Sequence, residues 1–540
     1  MTSIDMNKTF DIVRDSKALF APCILIRKNA GNAMEGQIPK NFDFSKINTP
    51  LNPAYLNFST EKYNETIGVQ NKRRFSRVYE LAAGETASVF VLYEVINNSL
   101  SLDLIGKSLI SIPWLLPLPL LAATTIGAFK FGSNKKDNTL TYEFYDNSDI
   151  TVIFNITSQG NNILTLKNSI ESVHYWYSKL NSSGEINYKS EIDVIVEPGP
   201  YQKNIAFYSS LAEQFGESLK FIVVPNDYVT SNNTKYKARA LNFAVEYRRS
   251  RGLNSDKVWI YHQDEETTVG EDTLIGISEF INKADKNIKY GAGFIIYCLD
   301  WSMRPSQVQE MSRTNDDYRV LLSLSSKVNP LVGFHGSHFL IRSETEDEIG
   351  WNFVRKAIAD DLIFENSLRR KYPNSFSFLK GFAFEKAASN LREQIKQRRR
   401  WALGLGDALM NDEISKTKKV VMAYSGMTWF GSIASVGALF LSLTPEFSGF
   451  YPTSLAVLGY LWIQMVNNYY DGYLFHKRYI PTDKMPNKFK TIRMIGNGVI
   501  GALVDAIAPW YVFKHSSRSN GFEVINKDAS LNNGKVKLRK

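Results

Sequence analysis

Cysteine is scarce in this sequence, and its scarcity excludes two kinds of scaffold. The 540 residues contain only Cys23 and Cys298, which are too few for a disulfide framework or a zinc cluster. Charged residues make up 22% of the chain against 44% hydrophobic ones, so the chain can bury a core and is not broadly disordered. A chain of this length is expected to fold as about two to four domains.

Positive charge is in excess and is concentrated at the end of the chain. The formal net charge is +10, and residues 514–540 alone carry seven Lys or Arg against two Asp or Glu. A basic tail can bind nucleic acid, anionic lipid or phosphorylated ligands, and charge alone does not choose among them. The polar region 1–80 lacks the pattern of a secretory signal peptide, and we assign it no role.

Long apolar runs are few, and the first is Ser108–Phe129. It has 22 residues and no charge, which is enough to cross the roughly 30 Å hydrocarbon layer, although a buried core segment gives the same pattern. Basic clusters lie on both sides of this whole region, and both favour the cytoplasmic side of the membrane. If both are cytoplasmic, residues 81–104, which are more acidic, must form a second crossing. We therefore predict N-terminal membrane segments within residues 81–130.

The chain becomes apolar again after residue 418. Lys419–Leu443 and Pro452–Tyr470 predict two membrane helices, and Met494–Phe513 is a third apolar stretch between two basic segments. Basic segments favour the cytoplasmic side of a membrane. We therefore predict membrane helices over 419–513, with the third stretch interfacial or re-entrant, and a cytoplasmic basic tail over 514–540.

Short β-rich runs alternate with helical patterns between these apolar regions. The helical pattern is clearest over Tyr236–Arg249, and the candidate strands are Thr151–Ile156, Glu191–Val196, Leu219–Val224, Lys257–His262 and Gly291–Tyr297. This alternation predicts a mostly parallel sheet in an α/β domain, which we assign to residues 131–418. Ligands of such sheets bind at the carboxyl ends of strands.

Two acidic clusters follow in this region. The first, Asp264-Glu265-Glu266, comes directly after an apolar strand. Carboxylates there can supply the oxygen ligands that Mg²⁺ or Mn²⁺ prefers, whereas the alternative is a solvated acidic turn. The second is the pair Asp360-Asp361, in which one carboxylate can raise the proton affinity of the other, as suits a general base.

A third cluster, Gln397-x-x-Arg400-Trp401, stands just before the second apolar region. Arginine presents a fork of donors that matches phosphate oxygens, and tryptophan offers a flat face on which a sugar can stack. The alternative is simple lipid-facing charge beside a membrane segment.

The order of these three clusters between apolar segments resembles the inverting family-2 glycosyltransferases, which include the cellulose, chitin and hyaluronan synthases. Within that family, residues 150–540 are most similar to the egghead-type β-1,4-mannosyltransferases. The stretches that carry the resemblance are Asn155–Gly160, Tyr236–Asn242, His262–Thr267, Gly336-Ser337 and Ala359–Asp361. The resemblance implies a GT-A type, Rossmann-like α/β domain inserted between transmembrane helices.

The resemblance also implies a role for each matching residue. Asp264 and Glu266 would hold Mg²⁺ or Mn²⁺ on the donor diphosphate, and Asp361 would be the general base, with Asp360 as its catalytic neighbour. The residues implied for the nucleotide are Glu197 at the base, Lys237 and Arg239 near the nucleotide, and Arg400 at the diphosphate. Those implied for the acceptor are Gly336, Ser337, Gln397, Trp401 and Trp301. In the tail, the residues that resemble the gating loop of cellulose synthases are Phe522, Val524 and Lys527, with Ile525 in place of a threonine.

Several residues near these motifs keep two interpretations. The side chain of Glu197 does not indicate which nucleotide base would be bound. Trp301 either lines a sugar channel or fills the core, and Cys298 is interpreted as a core residue. His335 and His338 are interpreted as hydrogen-bonded structural histidines in preference to catalytic ones.

The predicted function is a membrane-embedded, metal-dependent inverting hexosyltransferase of the plasma membrane or an endomembrane, with a cytoplasmic catalytic domain. It would transfer hexose from a UDP-glucose-like or GDP-mannose donor to a growing cell-surface polysaccharide and translocate the chain. One alternative adds a single sugar to a glycolipid, and another is a non-catalytic membrane interaction protein. The expected partners are the donor, a glycan or glycolipid acceptor, the bilayer and further copies in a homo-oligomer, and nucleic acid is not expected.

Overall fold

The strand-forming runs in the middle of the chain assemble into one eight-stranded sheet. The computed structural model of the protein describes residues 58–70, 139–160, 162–297, 303–325, 335–354, 358–442, 465–480 and 488–515. Several sequence predictions lie outside these described residues, namely those for Cys23, Cys298, Trp301, Phe522, Val524, Ile525, Lys527, the apolar run 108–129, the candidate crossing 81–104 and most of the predicted helix 452–470.

All five predicted strands are present, with bounds within two residues of the prediction. Along the chain the strands are β1 (Thr151–Ser158), β2 (Lys189–Val196), β3 (Leu219–Val223), β4 (Val258–Asp264), β5 (Thr267–Thr268), β6 (Tyr290–Tyr297), β7 (Phe339–Arg342) and β8 (Phe376–Glu385). Their spatial order is β3-β2-β1-β4-β7-β6-β8-β5.

Within the described residues, the sheet is mostly parallel, as predicted, with four parallel and three antiparallel strand pairs. The first four strands in the chain, β1 to β4, are parallel neighbours, as predicted. In the other half, β6 and β8 are parallel, but β7 is antiparallel to both β4 and β6, and β5 is antiparallel to β8. β5 and β7 have only two and four residues, and strands this short leave no pattern from which they could be predicted.

Helices cover the sheet and continue beyond it. They are α1 (60–70), α2 (Ile163–Ser182), α3 (Pro198–Lys203), α4 (Ile205–Phe215), α5 (Tyr236–Ser250), α6 (Glu271–Lys283), α7 (Pro305–Ser325), α8 (Ser343–Ile349), α9 (Asp360–Lys371), α10 (Leu391–Leu409), α11 (Lys416–Ser442), α12 (465–476), α13 (Lys488–Ile507) and α14 (Tyr511–His515). Short 3-10 turns occupy Gly216–Ser218 and Ala508–Trp510.

The core lies between the sheet and these helices. The side chains of β4 and β6 are buried almost throughout, as near-continuous apolar runs require when both faces of a sheet are covered. α4 packs on β3, α5 on β1 and β2, α6 on β8, and α7 on β6. α6 approaches β8 so closely that a Cβ at Gly276 would lie 2.1 Å from the carbonyl oxygen of Lys380, so only glycine fits there.

One helical stretch among the described residues, Ile492–Phe513, is long and apolar enough to cross a membrane by length and composition. Its most apolar window has a mean hydropathy of 1.3 and is 28% buried. It exposes large apolar side chains, among them Ile492 and Phe513. α11 covers most of the predicted helix 419–443. The predicted interfacial or re-entrant arrangement of 494–513 and the predicted domain boundaries remain predictions.

Candidate active site

A cavity of about 840 Å³ opens at the carboxyl ends of β1, β2 and β4. This is the edge of the sheet at which ligands of α/β folds bind. Every predicted site residue within the described ranges lines it: Glu197, Lys237, Arg239, Asp264, Glu266, Gly336, Ser337, Asp360, Asp361, Gln397, Arg400 and Trp401. The three clusters, distant in sequence, therefore meet around one space.

The acidic cluster after β4 divides into two kinds of carboxylate. Asp264 ends the strand, and its side chain is 35% exposed. Glu265 is buried and accepts hydrogen bonds from Ser158 Oγ at 2.5 Å and Asn162 Nδ2 at 2.6 Å. Burial, with a contribution from the charge of Glu266, raises the pKa of Glu265 to about 7. Glu265 thus ties β4 to the end of β1.

Lys237, in the first turn of α5, is a cation in contact with this cluster. Its Nζ donates hydrogen bonds to Asp264 Oδ1 and, at 3.3 Å, to the carbonyl oxygen of Gly336. Burial lowers the pKa of Lys237, but the charges of Asp264 and Asp360 more than offset this and raise it above its ordinary value. Lys237 therefore stays charged and neutralises part of the acidic cluster.

The carboxylate pair begins α9, where the unpaired N–H groups of a helix favour negative charge. Asp360 is buried, and burial together with the charge of Asp361 raises the pKa of Asp360. Asp361 is half-buried, and its Oδ1 accepts a 2.9 Å hydrogen bond from the backbone N–H of Leu362. Of the two, Asp361 is the carboxylate that an acceptor hydroxyl can reach more easily.

Gly336 lets both Lys237 and Asp361 lie close to its backbone. A Cβ added at Gly336 would lie 3.1 Å from Lys237 Nζ and 3.2 Å from Asp361 Cβ. Both distances are tighter than ordinary van der Waals contact, so any side chain here would push the ammonium and the carboxylate apart.

Glu197 and Arg239 line the cavity as a pair. Glu197 follows β2, and both of its carboxylate oxygens accept from Nη1 of Arg239 at 2.8 Å. The other nitrogens of Arg239 donate to the backbone carbonyls of Tyr228 at 3.0 Å and Pro225 at 2.6 Å. Since its donors are directed at protein acceptors, Arg239 positions Glu197, and the predicted nucleotide contact falls more naturally to Glu197.

The third cluster lies on α10, where Gln397, Arg400 and Trp401 share one helix face, because they are three and four residues apart. Arg398 points elsewhere. It is buried, donates to Asp505 Oδ1 at 2.8 Å and also pairs with Glu310. The run of arginines is therefore not one lipid-facing surface.

The ring of Trp401 is less open than the sequence suggested. The guanidinium groups of Arg398 and Arg313 lie over it at 4.1 and 4.5 Å from its centre, within cation–π range. These groups occupy part of the ring that the sequence analysis assigned to a sugar. The half-buried ring still lines the cavity, and its predicted contact with the acceptor is limited to the area left open.

The sequence did not indicate the lining residues Tyr297, Arg313 and Glu385, nor Asp317, which lies behind His335. Glu385 ends β8 and accepts hydrogen bonds from Thr267 Oγ1 at 2.9 Å and from Ser337. An acid directly after the apolar run Phe382–Phe384 was a signal that could have found it. The polar residues of α7 gave no such signal.

The two histidines beside Gly336 differ. His338 is buried between the hydroxyl of Tyr261 at 2.6 Å and the carbonyl oxygen of Gly381 at 3.1 Å, and burial lowers its pKa to about 4. It is a structural histidine. His335 instead lines the cavity.

The donor set at the cavity fits a divalent cation that is shared with a substrate. Within the described ranges no three His, Cys, Asp or Glu side chains are grouped to hold a metal ion. Mg²⁺ is usually bound through one or two carboxylates plus substrate phosphates. Asp264 and Glu266, both lining the cavity, supply that number of carboxylates.

Residues 259–470 match the model of the family described as glycosyl transferase family group 2. The predicted resemblance to family-2 glycosyltransferases is confirmed. The matched segment begins in β4 and contains Asp264, Asp361 and Trp401. It does not reach Glu197 and Lys237, which come from the strands and helix before it.

Curated relatives of this chain are β-1,4-mannosyltransferases. The protein bre-3 of Caenorhabditis elegans is 29% identical over 213 residues, which are 38% of this chain and 45% of that protein. The protein egh of Drosophila melanogaster is 26% identical over 235 residues, 42% of this chain and 50% of that protein. The egghead-type resemblance is thereby confirmed, and the chain spans about half the length of these relatives.

Solved structures to which this chain is similar include two complexes with nucleotide sugars. Mannosyltransferase PcManGT of Pyrobaculum calidifontis with GDP-Man and Mn²⁺ has a TM-score of 0.40 at 12% identity, covering 74% of this chain and 99% of that one. TarS of S. aureus with UDP-GlcNAc has a TM-score of 0.30 at 12% identity, covering 70% of this chain and 95% of that one.

Proposed function

We propose that the protein is an inverting glycosyltransferase that moves a hexose from a nucleoside diphosphate sugar to a membrane-associated acceptor. The observation that carries the proposal is the meeting of Asp264, Asp361 and Trp401 around one cavity. Lys237 and Arg400 line the same space and add positive charge suited to a diphosphate.

In the proposed reaction, Asp361 takes the proton of an acceptor hydroxyl. The acceptor oxygen then attacks the anomeric carbon from the face opposite the diphosphate. A new C–O bond forms as the bond to the diphosphate oxygen breaks, and the nucleoside diphosphate leaves with that electron pair. An α-linked donor therefore gives a β-linked product.

The leaving diphosphate needs charge stabilisation. Lys237 supplies a permanent ammonium beside Asp264, and Arg400 supplies a guanidinium from α10. Asp264 and Glu266 would hold Mg²⁺ or Mn²⁺, which when bound would neutralise the diphosphate. Glu197, fixed by Arg239, would contact the nucleoside.

For the substrates, we propose GDP-mannose as the donor and addition of a single mannose to a glycolipid. The names of the bre-3 and egh relatives support β-1,4-mannosyl transfer. The Gln397-x-x-Arg400-Trp401 motif also suits a second candidate, the repeated extension of a polysaccharide with translocation, for which a homo-oligomer would supply a wider channel. The length of the product separates the two.

We further propose that the enzyme is membrane-embedded, with the cavity on the cytoplasmic side. The apolar stretch Ile492–Phe513 and its exposed side chains support this. Leu405 and Trp429, which line the cavity, come from α10 and α11, next to that stretch. An acceptor anchored in the bilayer would therefore have a short path to Asp361.

The proposal is tested by nucleotide release. The purified full chain is incubated with Mg²⁺ or Mn²⁺, octyl β-glucoside or octyl β-mannoside, and a panel containing GDP-mannose, UDP-glucose and UDP-GlcNAc. We expect release with one donor, strongest with GDP-mannose, and its loss in Asp264→Asn and in the presence of EDTA. If none of the donors gives nucleotide release, the protein is better explained as a non-catalytic interaction protein. The same holds if its cellular function is unchanged in both Asp264→Asn and Asp361→Asn.

A further inference from the structure

His335 lines the cavity but has no part in the transfer described above. It precedes Gly336, and its Nε2 lies 2.6 Å from Asp317 Oδ1. Its side chain is 32% exposed, whereas that of Asp317 is 10% exposed. The pair is therefore a histidine held from behind by a nearly buried carboxylate, with the ring at the surface of the cavity.

A chain of polar contacts connects this pair to the predicted acceptor motif. Asp317 Oδ2 accepts a 3.3 Å hydrogen bond from the hydroxyl of Tyr297. That hydroxyl accepts one from Nη2 of Arg313 at 2.9 Å, and the guanidinium of Arg313 lies over Trp401. Through these contacts His335 is connected to the Trp401 side of the cavity.

The Asp317 contact decides which ring nitrogen faces a ligand. A carboxylate that accepts from Nε2 keeps the proton on that nitrogen, which leaves Nδ1 for another partner. In the part of the chain that the structure describes, Nδ1 of His335 has no hydrogen-bond partner. Burial lowers the pKa of His335, but the charge of Asp317 more than offsets this and raises it above its ordinary value.

Two other charged groups bear on the ring. Arg313, from α7, lowers the proton affinity of His335, and Glu385, from β8, raises it. With Asp317 behind the ring, the carboxylates prevail and favour the protonated imidazolium, in which both ring nitrogens are hydrogen-bond donors. Sugar hydroxyl oxygens are suitable acceptors for such a donor.

We propose that His335 binds the acceptor sugar, donating a hydrogen bond from Nδ1 to one of its oxygens, and that Asp317 positions the ring. This inference rests on the proposed function, since it assigns a residue of the same cavity to the acceptor. Its location supports the acceptor, because its polar contacts lead to Trp401 and it adjoins Gly336, which lies close to the proposed base Asp361 as well as to Lys237.

Two variants separate the two nitrogens. Glutamine presents its amide nitrogen where Nε2 lies, so His335→Gln keeps the Asp317 contact and removes the donor that faces the cavity. Asparagine presents its amide nitrogen where Nδ1 lies, so His335→Asn keeps a donor toward the acceptor. Thermal unfolding of both variants shows that each is folded before its kinetics are compared.

The kinetic test uses the donor that supports nucleotide release and octyl β-glucoside or octyl β-mannoside as the acceptor. For His335→Gln we expect an acceptor KM about tenfold or more higher, as the loss of one charge-assisted hydrogen bond implies, with donor KM within about twofold. His335→Asn should lose less. Asp317→Asn should shift the alkaline limb of the pH–rate profile to lower pH, because it removes the charge that raises the pKa of His335.

The matched control is His174→Asn. His174 packs edge-on against Phe215 on another part of the domain and does not line the cavity, so both KM values should stay unchanged. An unchanged acceptor KM in His335→Gln, or an equal rise of both KM values, overturns the inference and leaves the proposed function standing. A wild-type protein that releases no nucleotide overturns both.

Discussion

Arg398 joins the apolar helix to the cavity, because its Nε donates a 2.8 Å hydrogen bond to Oδ1 of Asp505. Asp505 lies within Ile492–Phe513, the stretch long enough to span a membrane, and also accepts from Gln394 Nε2 at 2.8 Å. Arg398 is buried and lies over Trp401. Asp505 of the apolar helix therefore helps to fix the position of the Trp401 ring through Arg398.

The first prediction concerns Asp505→Asn. The change removes the charge that faces a buried guanidinium, and we expect a loss of stability of about 1–3 kcal/mol. Because Arg398 then holds Trp401 less firmly, acceptor KM should rise more than donor KM. Thermal unfolding and both KM values measure this. Asp412→Asn, at a fully exposed side chain, should change neither, and an Asp505→Asn protein that behaves like it would contradict the linkage.

The second prediction concerns Gly336→Ala. The added Cβ would crowd Lys237 Nζ at 3.1 Å and Asp361 Cβ at 3.2 Å, displacing the cation or the proposed base. We expect transfer to fall about tenfold or more, since small displacements of catalytic groups are costly. The measurement is kcat with saturating donor and acceptor.

Gly406→Ala is the matched control for this glycine. A Cβ at Gly406, in the interior of α10, would meet no atom within 4 Å. Because alanine is the better helix former, this variant should be more stable by about 0.5–1 kcal/mol and retain full activity. Equal activity in the two alanine variants would show that the close approach at Gly336 is not needed for transfer.

The third prediction concerns Lys237→Met. Without the ammonium, the repulsion between the negative charges of the diphosphate and Asp264 is less well compensated. We expect transfer to fall by about 10²–10³-fold, the range seen when one stabilising donor is lost from an active site, together with a higher donor KM. Lys203→Met, at an exposed position on α3, should leave transfer unchanged. A donor KM that stays constant in Lys237→Met would argue against a diphosphate at this position.

The fourth prediction concerns pH and Asp193, a buried acid in β2 whose carboxylate oxygens have no hydrogen-bond partner among the described residues. Burial raises its pKa from 3.8 to about 6, even though Lys220 and Arg248 act in the opposite direction. The folded state therefore binds the proton more tightly than the unfolded state. Stability from this group is complete below pH 3.8 and is lost as the pH rises through 6.

Asp193→Asn removes this titration. The free energy of unfolding of the variant, relative to wild type, should improve by about 3 kcal/mol between pH 3.8 and pH 7.5, from roughly 1.4 kcal/mol for each unit of the pKa shift. Denaturant unfolding across this range measures the difference. A difference between the two proteins that does not vary with pH would mean that Asp193 is not held in a raised-pKa environment.

Much of the sheet could be predicted because its central strands are buried on both faces. Thr151–Ser158 and Val258–Asp264 show this as apolar runs that end at polar residues. β7 could not be found in this way, because its antiparallel pairing with β4 and β6 depends on long-range contacts. Apolar runs in a sequence indicate burial well, but they do not indicate whether the neighbouring strand is parallel or antiparallel.

The candidate site could be predicted where chemistry and position coincide in the sequence. Asp264 stands at the end of an apolar strand, and Trp401 belongs to a motif with fixed spacing. Asp317 and Arg313 could not be found, because they lie within a helix of mixed polarity and acquire a role only when α7 packs on β6. The same holds for the partner of Arg398, which is 107 residues away.

The most direct test of the account is the rate of hexose transfer by Asp361→Asn and the anomeric configuration of the wild-type product. With saturating donor, Mn²⁺ and octyl glycoside acceptor, we predict a β-linked product from the wild type. We predict a loss of about 10²-fold or more in kcat for Asp361→Asn, with donor KM unchanged and full activity in the exposed variant Asp256→Asn. An α-linked product, or an Asp361→Asn enzyme that transfers hexose at the wild-type rate, would contradict it.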